Sequence, residues 1–308
     1  MRGKILIAGA AALTCLGAAG LGAVLLPATA ASGPAAGSRP VNRPASASEL
    51  PLVSDLAAYK LVQAQRLPRS PERSRLDEAC SGYRPKKQSA VAQWVRRAGW
   101  IVTSEAPLGK FKVVSFVSGF DPGTSGLCFA RNANLAVFDQ GRLVALAFRK
   151  HSTSKDDDTS PLGPVEALED GSGLLVWTDP PGMPVGELRL AETGLRLANR
   201  AKAHRYCHGR VKVPDIYGED IPSARKMLSA EGWRPDPPAE KPGKLDQARV
   251  WVEKGYVEAE RCAGTGVGYC SWNYRAAAGR LAVVTVGGGG TGQGDTAVSS
   301  YGVECAAR

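Results

Sequence analysis

Six cysteines downstream of an apolar N-terminal segment constrain the fold of this chain more than any other feature. The chain has 308 residues and seven cysteines, one of which, Cys15, lies inside the apolar segment itself. An even number of cysteines in an exported chain predicts disulfides, whereas the same number in the cytosol would indicate metal or redox chemistry. The absence of any C-x-x-C spacing excludes a zinc knuckle and a thioredoxin-type motif.

The six remaining cysteines are expected to form three bridges. We favour the pairs Cys80–Cys128, Cys207–Cys305 and Cys262–Cys270, because this set keeps each bridge inside one predicted domain. Among them, only the short Cys262–Cys270 loop is favoured by its spacing as well.

The N-terminal segment has the pattern of a secretory signal. Arg2 and Lys4 precede an uncharged stretch from Ile5 to Leu26, and Ala28-Thr29-Ala30 provides the small residues that signal peptidase requires. We therefore predict a signal peptide over residues 1–31 and a periplasmic or secreted location. A retained anchor is the alternative, because the apolar stretch is long enough to span a bilayer. No second such stretch follows, so no integral membrane segment is expected after processing.

The charge of the chain is unevenly distributed. The formal net charge is +10, and residues 33–155 carry 19 Lys and Arg against 8 acids, whereas residues 156–195 carry 1 against 9. A basic first half can contact an anionic polymer such as the cell wall, although a solubilising charge with internal pairing explains the same numbers. Because no dense Lys/Arg block occurs, nucleic acid is not the expected partner.

Composition and periodicity divide the exported part into a linker and two domains of an α+β protein. Residues 32–75 are rich in Ser, Pro, Ala and Arg and are predicted to be a flexible linker, with a short helix near Ser54–Gln65. Residues 76–200 contain regularly spaced apolar runs separated by Gly/Asp turns, which predicts an antiparallel β-rich meander, either a sandwich or an open barrel. The sequence pattern of residues 201–308 predicts a smaller α+β domain that contains two of the disulfides.

Several elements have specific local signals. Val91, Trp94, Val95 and Ala98 form one apolar stripe of a helix that Gly99 ends. The run Phe111–Phe120 is apolar on both faces, as in a strand buried on both sides. In the C-terminal part, Asp220 and Asp246 are expected to cap two helices that end at Gly232 and Gly255.

The segment Val213–Trp233 resembles the start of a PASTA domain. Val213-Pro214-Asp215-Ile216-Tyr217-Gly218 matches the strand and turn of that family, and Ala224 through Leu228 with Gly232 matches its first helix. The resemblance covers about 20 residues, and no tandem copy follows. It implies a role in the cell envelope, since PASTA modules are associated with recognition of peptidoglycan or β-lactams.

Candidate binding residues cluster in the C-terminal part. The disulfide-closed glycine loop could present Thr265 and Tyr269 to a ligand, and Trp272 and Tyr274 share a strand face that is either core or a carbohydrate-stacking platform. His204 and His208 would share a face on a helix and are weak candidates for a metal site, with His151 the only other histidine. Glu105, Asp121 and Glu166 are candidate acids for hydrolysis, but nothing in the sequence selects them.

These patterns favour a binding protein over an enzyme. No catalytic motif and no cofactor-binding motif occurs in the sequence, so we expect no cofactor and no catalytic residues. The predicted function is that of an exported cell-envelope protein that recognises peptidoglycan or another anionic envelope polymer. The alternative is an exported hydrolase that uses carboxylates or a histidine-bound metal.

Overall fold

The computed structural model describes residues 50–72, 80, 82, 87–123, 127–150, 161–178, 182–264, 266–287 and 296–307. The predicted signal peptide, Cys15, Thr265, His151 and residues 32–49 and 73–75 of the predicted linker therefore lie outside the described residues. None of the helices in the described part is long and apolar enough to cross a bilayer. Residues from Ser48 to Arg308 form one compact unit.

The first five-stranded sheet is antiparallel throughout. Its order is β2 (Tyr59–Gln63), β8 (Arg142–Arg149), β7 (Asn134–Asp139), β4 (Phe111–Val117) and β3 (Ile101–Leu108). Gly141 turns β7 into β8 with a φ of 83°, as the Asp139-Gln140-Gly141 signal predicts.

The second five-stranded sheet faces the first. Its order is β1 (Leu52–Ser54), β12 (Gly194–Ala198), β11 (Pro184–Ala191), β10 (Gly173–Trp177) and β9 (Val165–Ala167). All its pairings are antiparallel except that of β1 with β12. Buried apolar side chains from both sheets form a shared core, so the β-rich region is a sandwich.

Residues 52–63 form two strands where the sequence predicted a helix and a linker. Tyr59 and Leu61 point into the sandwich core, and Lys60 between them is exposed. This alternation has the two-residue period of a strand. The expected helix over Ser54–Gln65 is therefore wrong.

One helix covers the outer face of the first sheet. Helix α1 (Ala90–Arg97) begins at Ser89 and ends before Gly99, whose φ is 92°. It packs on a second core that includes Val114 and Phe116 of β4, while Val113 of β4 points into the sandwich. Strand β4 is thus buried on both faces, as predicted.

The predicted run Phe111–Phe120 is not one strand. Strand β4 ends at Val117, and Phe120 lies on β5 (Gly119–Pro122), which pairs with β6 (Cys128–Arg131). The Phe120 ring packs in the sandwich core and not on the face of the sheet that helix α1 covers.

The C-terminal region combines a hairpin, two helices and a third sheet. Its elements are β13 (Ala203–Tyr206), β14 (Val211–Pro214), α2 (Ile221–Ala230), β15 (Arg234–Pro235), α3 (Ala248–Glu253), β16 (Ala259–Cys262), β17 (Cys270–Ala276), β18 (Gly279–Val286) and β19 (Ala297–Cys305). Strands β15 and β16 both pair with β17, followed by β18 and β19, all antiparallel. Asp220 caps α2 through the Ser223 backbone N–H at 2.8 Å. The N-cap residue of α3 is Gln247 and not the predicted Asp246, which lies one residue earlier and accepts from the Ala248 N–H at 2.9 Å. The predicted fold class, a β-rich region followed by a smaller α+β region, is confirmed.

Three disulfides hold these regions, and they are the pairs that the sequence favoured. Cys80–Cys128 lies in the β-rich region, and Cys262–Cys270 closes the glycine loop. Cys207–Cys305 joins the turn of the β13–β14 hairpin to the end of β19. Bridges of this kind are typical of proteins that mature in an oxidising compartment.

Candidate functional site

A cleft of about 500 Å³ lies where the second sheet meets the C-terminal region. Strands β9 and β10 and the segments that follow them form one wall, and β19 and the disulfide-closed loop form the other. The lining residues are Pro164, Val165, Glu166, Trp177, Thr178, Gly182, Tyr269, Ser299 and Ser300. Most of this surface is apolar, with one carboxylate and several hydroxyl groups.

Trp177 provides the larger aromatic surface of the cleft. It is the last residue of β10, and its indole is half-buried. Its ring meets the ring of Tyr217 edge-on at 5.7 Å, and Tyr217 stacks on Tyr301 at 4.7 Å. Tyr217 therefore packs against the indole and Tyr301 packs against Tyr217, which restricts the indole before any ligand arrives.

The tyrosines behind Trp177 are uncharged at neutral pH. Burial raises the pKa of Tyr206, Tyr217 and Tyr301 above the usual value, and the proximity of the three rings adds to the effect for Tyr217 and Tyr301. Their phenol groups therefore stay protonated and contribute apolar ring surface instead of charge.

Glu166 is the one acid among the described residues that line the cleft. The surrounding protein removes water from one side of its carboxyl group and raises the pKa, an effect that the hydrogen bond from the Trp177 side chain partly offsets. An acceptor beside an aromatic ring is suited to the hydroxyl and amide groups of a sugar.

Tyr269 reaches the cleft because of the small disulfide loop. It directly precedes Cys270, and its carbonyl accepts from the Ala263 N–H at 2.6 Å across the loop. Gly266 and Gly268 have φ values of 71° and 66°, which non-glycine residues adopt at a cost. The bridge and the two glycines together hold the half-buried Tyr269 side chain at the cleft wall.

Trp272 and Tyr274 lie in the core of the third sheet and not in the cleft wall. Their side chains are 0% and 1% exposed. The Trp272 indole donates to Thr285 Oγ1 at 3.0 Å, and the Tyr274 hydroxyl donates to Glu258 Oε1 at 3.2 Å. Of the two alternatives for this stripe, the structure places both rings in the core.

The two candidate metal ligands of the H-x-x-C-H segment are on a hairpin and not on a helix. His204 is buried on β13, and its Nε2 lies 2.9 Å from Glu187 Oε1. His208 is exposed in the following turn, where its backbone N–H donates to Glu169. Within the described ranges, no group of three or more His, Cys, Asp or Glu side chains is placed to hold a metal ion.

The three acids considered for hydrolysis have different partners, although Glu105 and Glu166 lie on contacting strands, where Ser104 Oγ accepts from the Val165 N–H at 2.7 Å. Glu105 accepts from the backbone N–H of Ser89 at 2.9 Å, and also from its hydroxyl, at the start of α1. Asp121 pairs with Arg131 on the β5–β6 hairpin at 2.7 Å. Only Glu166 lies in the cleft.

Trp177, Ser299 and Ser300 were not among the residues predicted from the sequence. Trp177 could have been found, because it ends an apolar run two residues before the Pro- and Gly-rich run Asp179–Pro184, which marks a loop. The serines had no signal, since their position depends on how β19 approaches the second sheet.

Comparison with protein-family models, curated proteins and solved structures gives no match to this chain. The chemistry of the cleft is therefore the basis for a function.

Proposed function

We propose that this chain is an exported, non-catalytic cell-envelope protein that binds a glycan in the cleft between the second sheet and the C-terminal region. Peptidoglycan is the candidate polymer. The observation that carries the proposal is that Trp177, Tyr269 and Glu166 line the same cleft.

The chemistry of the cleft matches that of a sugar. A sugar ring has an apolar face that packs on aromatic rings, and its rim of hydroxyl and amide groups needs polar partners. Trp177 and Tyr269 provide rings, Glu166 accepts hydrogen bonds, and the Ser300 hydroxyl can donate or accept. Because Trp177 is fixed by its tyrosine neighbours, little side-chain freedom is lost on binding.

The location in the envelope is supported by features outside the cleft. Three disulfides are typical of an exported protein, and residues 1–31 have the pattern of a signal peptide. The resemblance of Val213–Trp233 to the start of a PASTA domain agrees with an envelope ligand.

A hydrolase is the second candidate, and the raised pKa of Glu166 favours it, because a general acid must be protonated near its working pH. Glycoside hydrolysis by the usual route needs a second carboxylate across the scissile bond. Glu166 is the one acid among the described lining residues, which favours binding over hydrolysis.

Co-sedimentation of the full-length chain with purified peptidoglycan tests the proposal. We expect retention at both low and high salt, since ring stacking is uncharged. We expect Trp177→Ala to raise the Kd about tenfold and Tyr269→Ala to raise it about fivefold, as is typical for loss of an aromatic contact.

Phe129→Ala is the matched control, because Phe129 is a 44% exposed aromatic residue on β6 that does not line the cleft. It should bind as the unmodified chain does. Loss of retention at high salt with no effect of Trp177→Ala would instead mean binding by charge alone. Release of soluble fragments that stops in Glu166→Gln would establish the hydrolase.

A further inference from the structure

The surface around helix α1 carries a cluster of arginines and one lysine. The segment after β2 packs along the last turn of the helix: the Ser70 N–H donates to the Ala98 carbonyl at 3.0 Å, and the Trp100 indole donates to the Pro68 carbonyl at 2.7 Å. These contacts bring the cations of both segments to one surface, which we call the basic face. It comprises Arg66, Arg69, Lys87, Arg96 and Arg97, all exposed.

The cations of the basic face are not neutralised by the described acids. No ion pair joins any of them to an acidic residue in the part of the chain that the structure describes. Two described acids near these segments in sequence or in the fold are engaged elsewhere: Glu72 pairs with Arg131 at 2.7 Å, and Glu105 accepts from the Ser89 N–H at the start of α1.

Favourable interaction with the dipole of helix α1 explains only some of the cations of the basic face. Arg96 and Arg97 lie in the last turn of α1, where positive charge interacts favourably with the helix dipole. Arg66 and Arg69 belong to an irregular segment with no such role. Like charges on one surface that no described acid pairs with repel one another, and such a cluster is typical of a site for an anion.

We propose that the basic face is a second binding surface, separate from the cleft, for a linear polymer that carries phosphate groups. The planar guanidinium group binds phosphate with two parallel hydrogen bonds, which favours a phosphate-bearing ligand for a face made mainly of arginine. A polymer can contact several of these side chains in succession.

A lipid bilayer fits the basic face less well. Binding to a bilayer by a helix normally adds apolar side chains that enter the lipid. The exposed aromatic residue of α1 is Trp94, and its ring packs edge-on against Phe138 at 5.7 Å. The ring therefore packs in part against the protein itself, and a single ring that is 37% exposed does not form an apolar helix face.

Binding of the full-length chain to long-chain inorganic polyphosphate tests this inference. We expect binding at low salt that weakens steeply as salt is added. The double variants Arg66→Gln/Arg69→Gln and Arg96→Gln/Arg97→Gln should each raise the Kd about fivefold or more. Each lost phosphate contact should also lower the slope of log affinity against log salt by roughly 0.7, as for flexible single-stranded polyanions.

Arg234→Gln/Arg261→Gln is the matched control, because it removes the same charge from exposed arginines of the C-terminal region. It should change the Kd less than about twofold, as distant surface charges are screened by salt. Trp177→Ala should leave polyphosphate binding unchanged, which separates this surface from the cleft. All four basic-face substitutions are at exposed positions, and thermal unfolding should verify that the variants fold.

Three outcomes would overturn the inference. The control double variant could weaken binding as much as the basic-face variants do. The chain could show no affinity for polyphosphate even at low salt. It could also bind vesicles of phosphatidylglycerol but not polyphosphate, which would identify a lipid surface as the partner.

Discussion

Two buried glutamates, one in each part of the molecule, are held in opposite ways. Glu187 lies on β11 of the sandwich and Glu258 lies just before β16 of the C-terminal region, and both side chains are 0% exposed. Glu187 accepts from His204 Nε2 at 2.9 Å, from the Ala201 N–H at 2.6 Å and from Arg189 Nε at 2.6 Å.

Glu258 has fewer partners. Its Oε1 accepts from the Tyr274 hydroxyl at 3.2 Å and lies 3.2 Å from Arg225 Nε. Its Oε2 has no hydrogen-bond partner among the described residues. The two acids therefore differ in how completely the fold replaces the water that burial removes.

Their pKa values move in opposite directions as a result. Burial would raise the pKa of both groups, but the hydrogen bonds to Glu187 outweigh burial and lower its pKa. For Glu258 burial prevails, and its pKa is raised despite Arg225 and Tyr274. Both side chains are fully buried, so the opposite directions follow from the donors that each carboxylate accepts from and not from burial alone.

The largest effect is expected from Glu187→Gln. The amide NH2 of the glutamine donates hydrogen bonds and cannot accept them, so it would face at least one of the three donors to Glu187. That donor and the amide N–H would then be buried without partners. We expect the free energy of unfolding in urea to fall by about 3 kcal/mol. A loss below about 1 kcal/mol would mean that the cluster contributes little to stability.

Glu258→Gln makes the same chemical change at the poorly satisfied site, and it serves as the matched comparison. It removes a buried charge but also the pairing with Arg225, so the two effects oppose each other. We expect the free energy of unfolding at neutral pH to change by less than about 1 kcal/mol. A loss as large as that of Glu187→Gln would remove the distinction between the two sites.

The smallest effect is expected in the pH dependence of stability. Because the pKa of Glu187 is lowered in the folded state, its contribution is complete above the usual glutamate pKa and is lost as the pH falls through the folded value. Because the pKa of Glu258 is raised, stability falls as the pH rises from the usual glutamate value through the folded one. The free energy of unfolding in urea, measured between pH 3 and pH 7, should therefore respond differently in the two variants. Glu187→Gln should reduce the loss of stability at the acid end of this range. Glu258→Gln should remove the loss of stability that occurs as the pH rises above the usual glutamate pKa.

The sequence predicted the elements of the fold whose signals are local. The cap Asp220, the glycine after each helix and the Gly/Asp turns of the sandwich act within a few residues. The pairs Cys80–Cys128 and Cys207–Cys305 span 48 and 98 residues, and they were predicted only because the domain division was used to choose among pairings. The strands near residues 52–63 were missed, since short strands at sheet edges have weak signals.

The candidate site could be predicted only in pieces. Tyr269 and Glu166 were each identified from the sequence, but nothing in it placed them in one cleft or added Trp177. The assignment of Trp272 and Tyr274 to the core also required the structure, because alternation shows that two residues share a face and not which face is buried.

The amino-acid sequence by itself determined that the protein carries disulfides, that it is rich in strands and where its helices end. Helix caps and turns act within a few residues, and the number of cysteines is known without the fold. The tertiary structure alone decided which aromatic rings are exposed, which carboxylates gain enough donors to remain charged, and which segments border the cleft. These properties depend on contacts between residues far apart in the chain, such as Trp177 with Tyr217 and Glu187 with His204, and only packing brings such residues together.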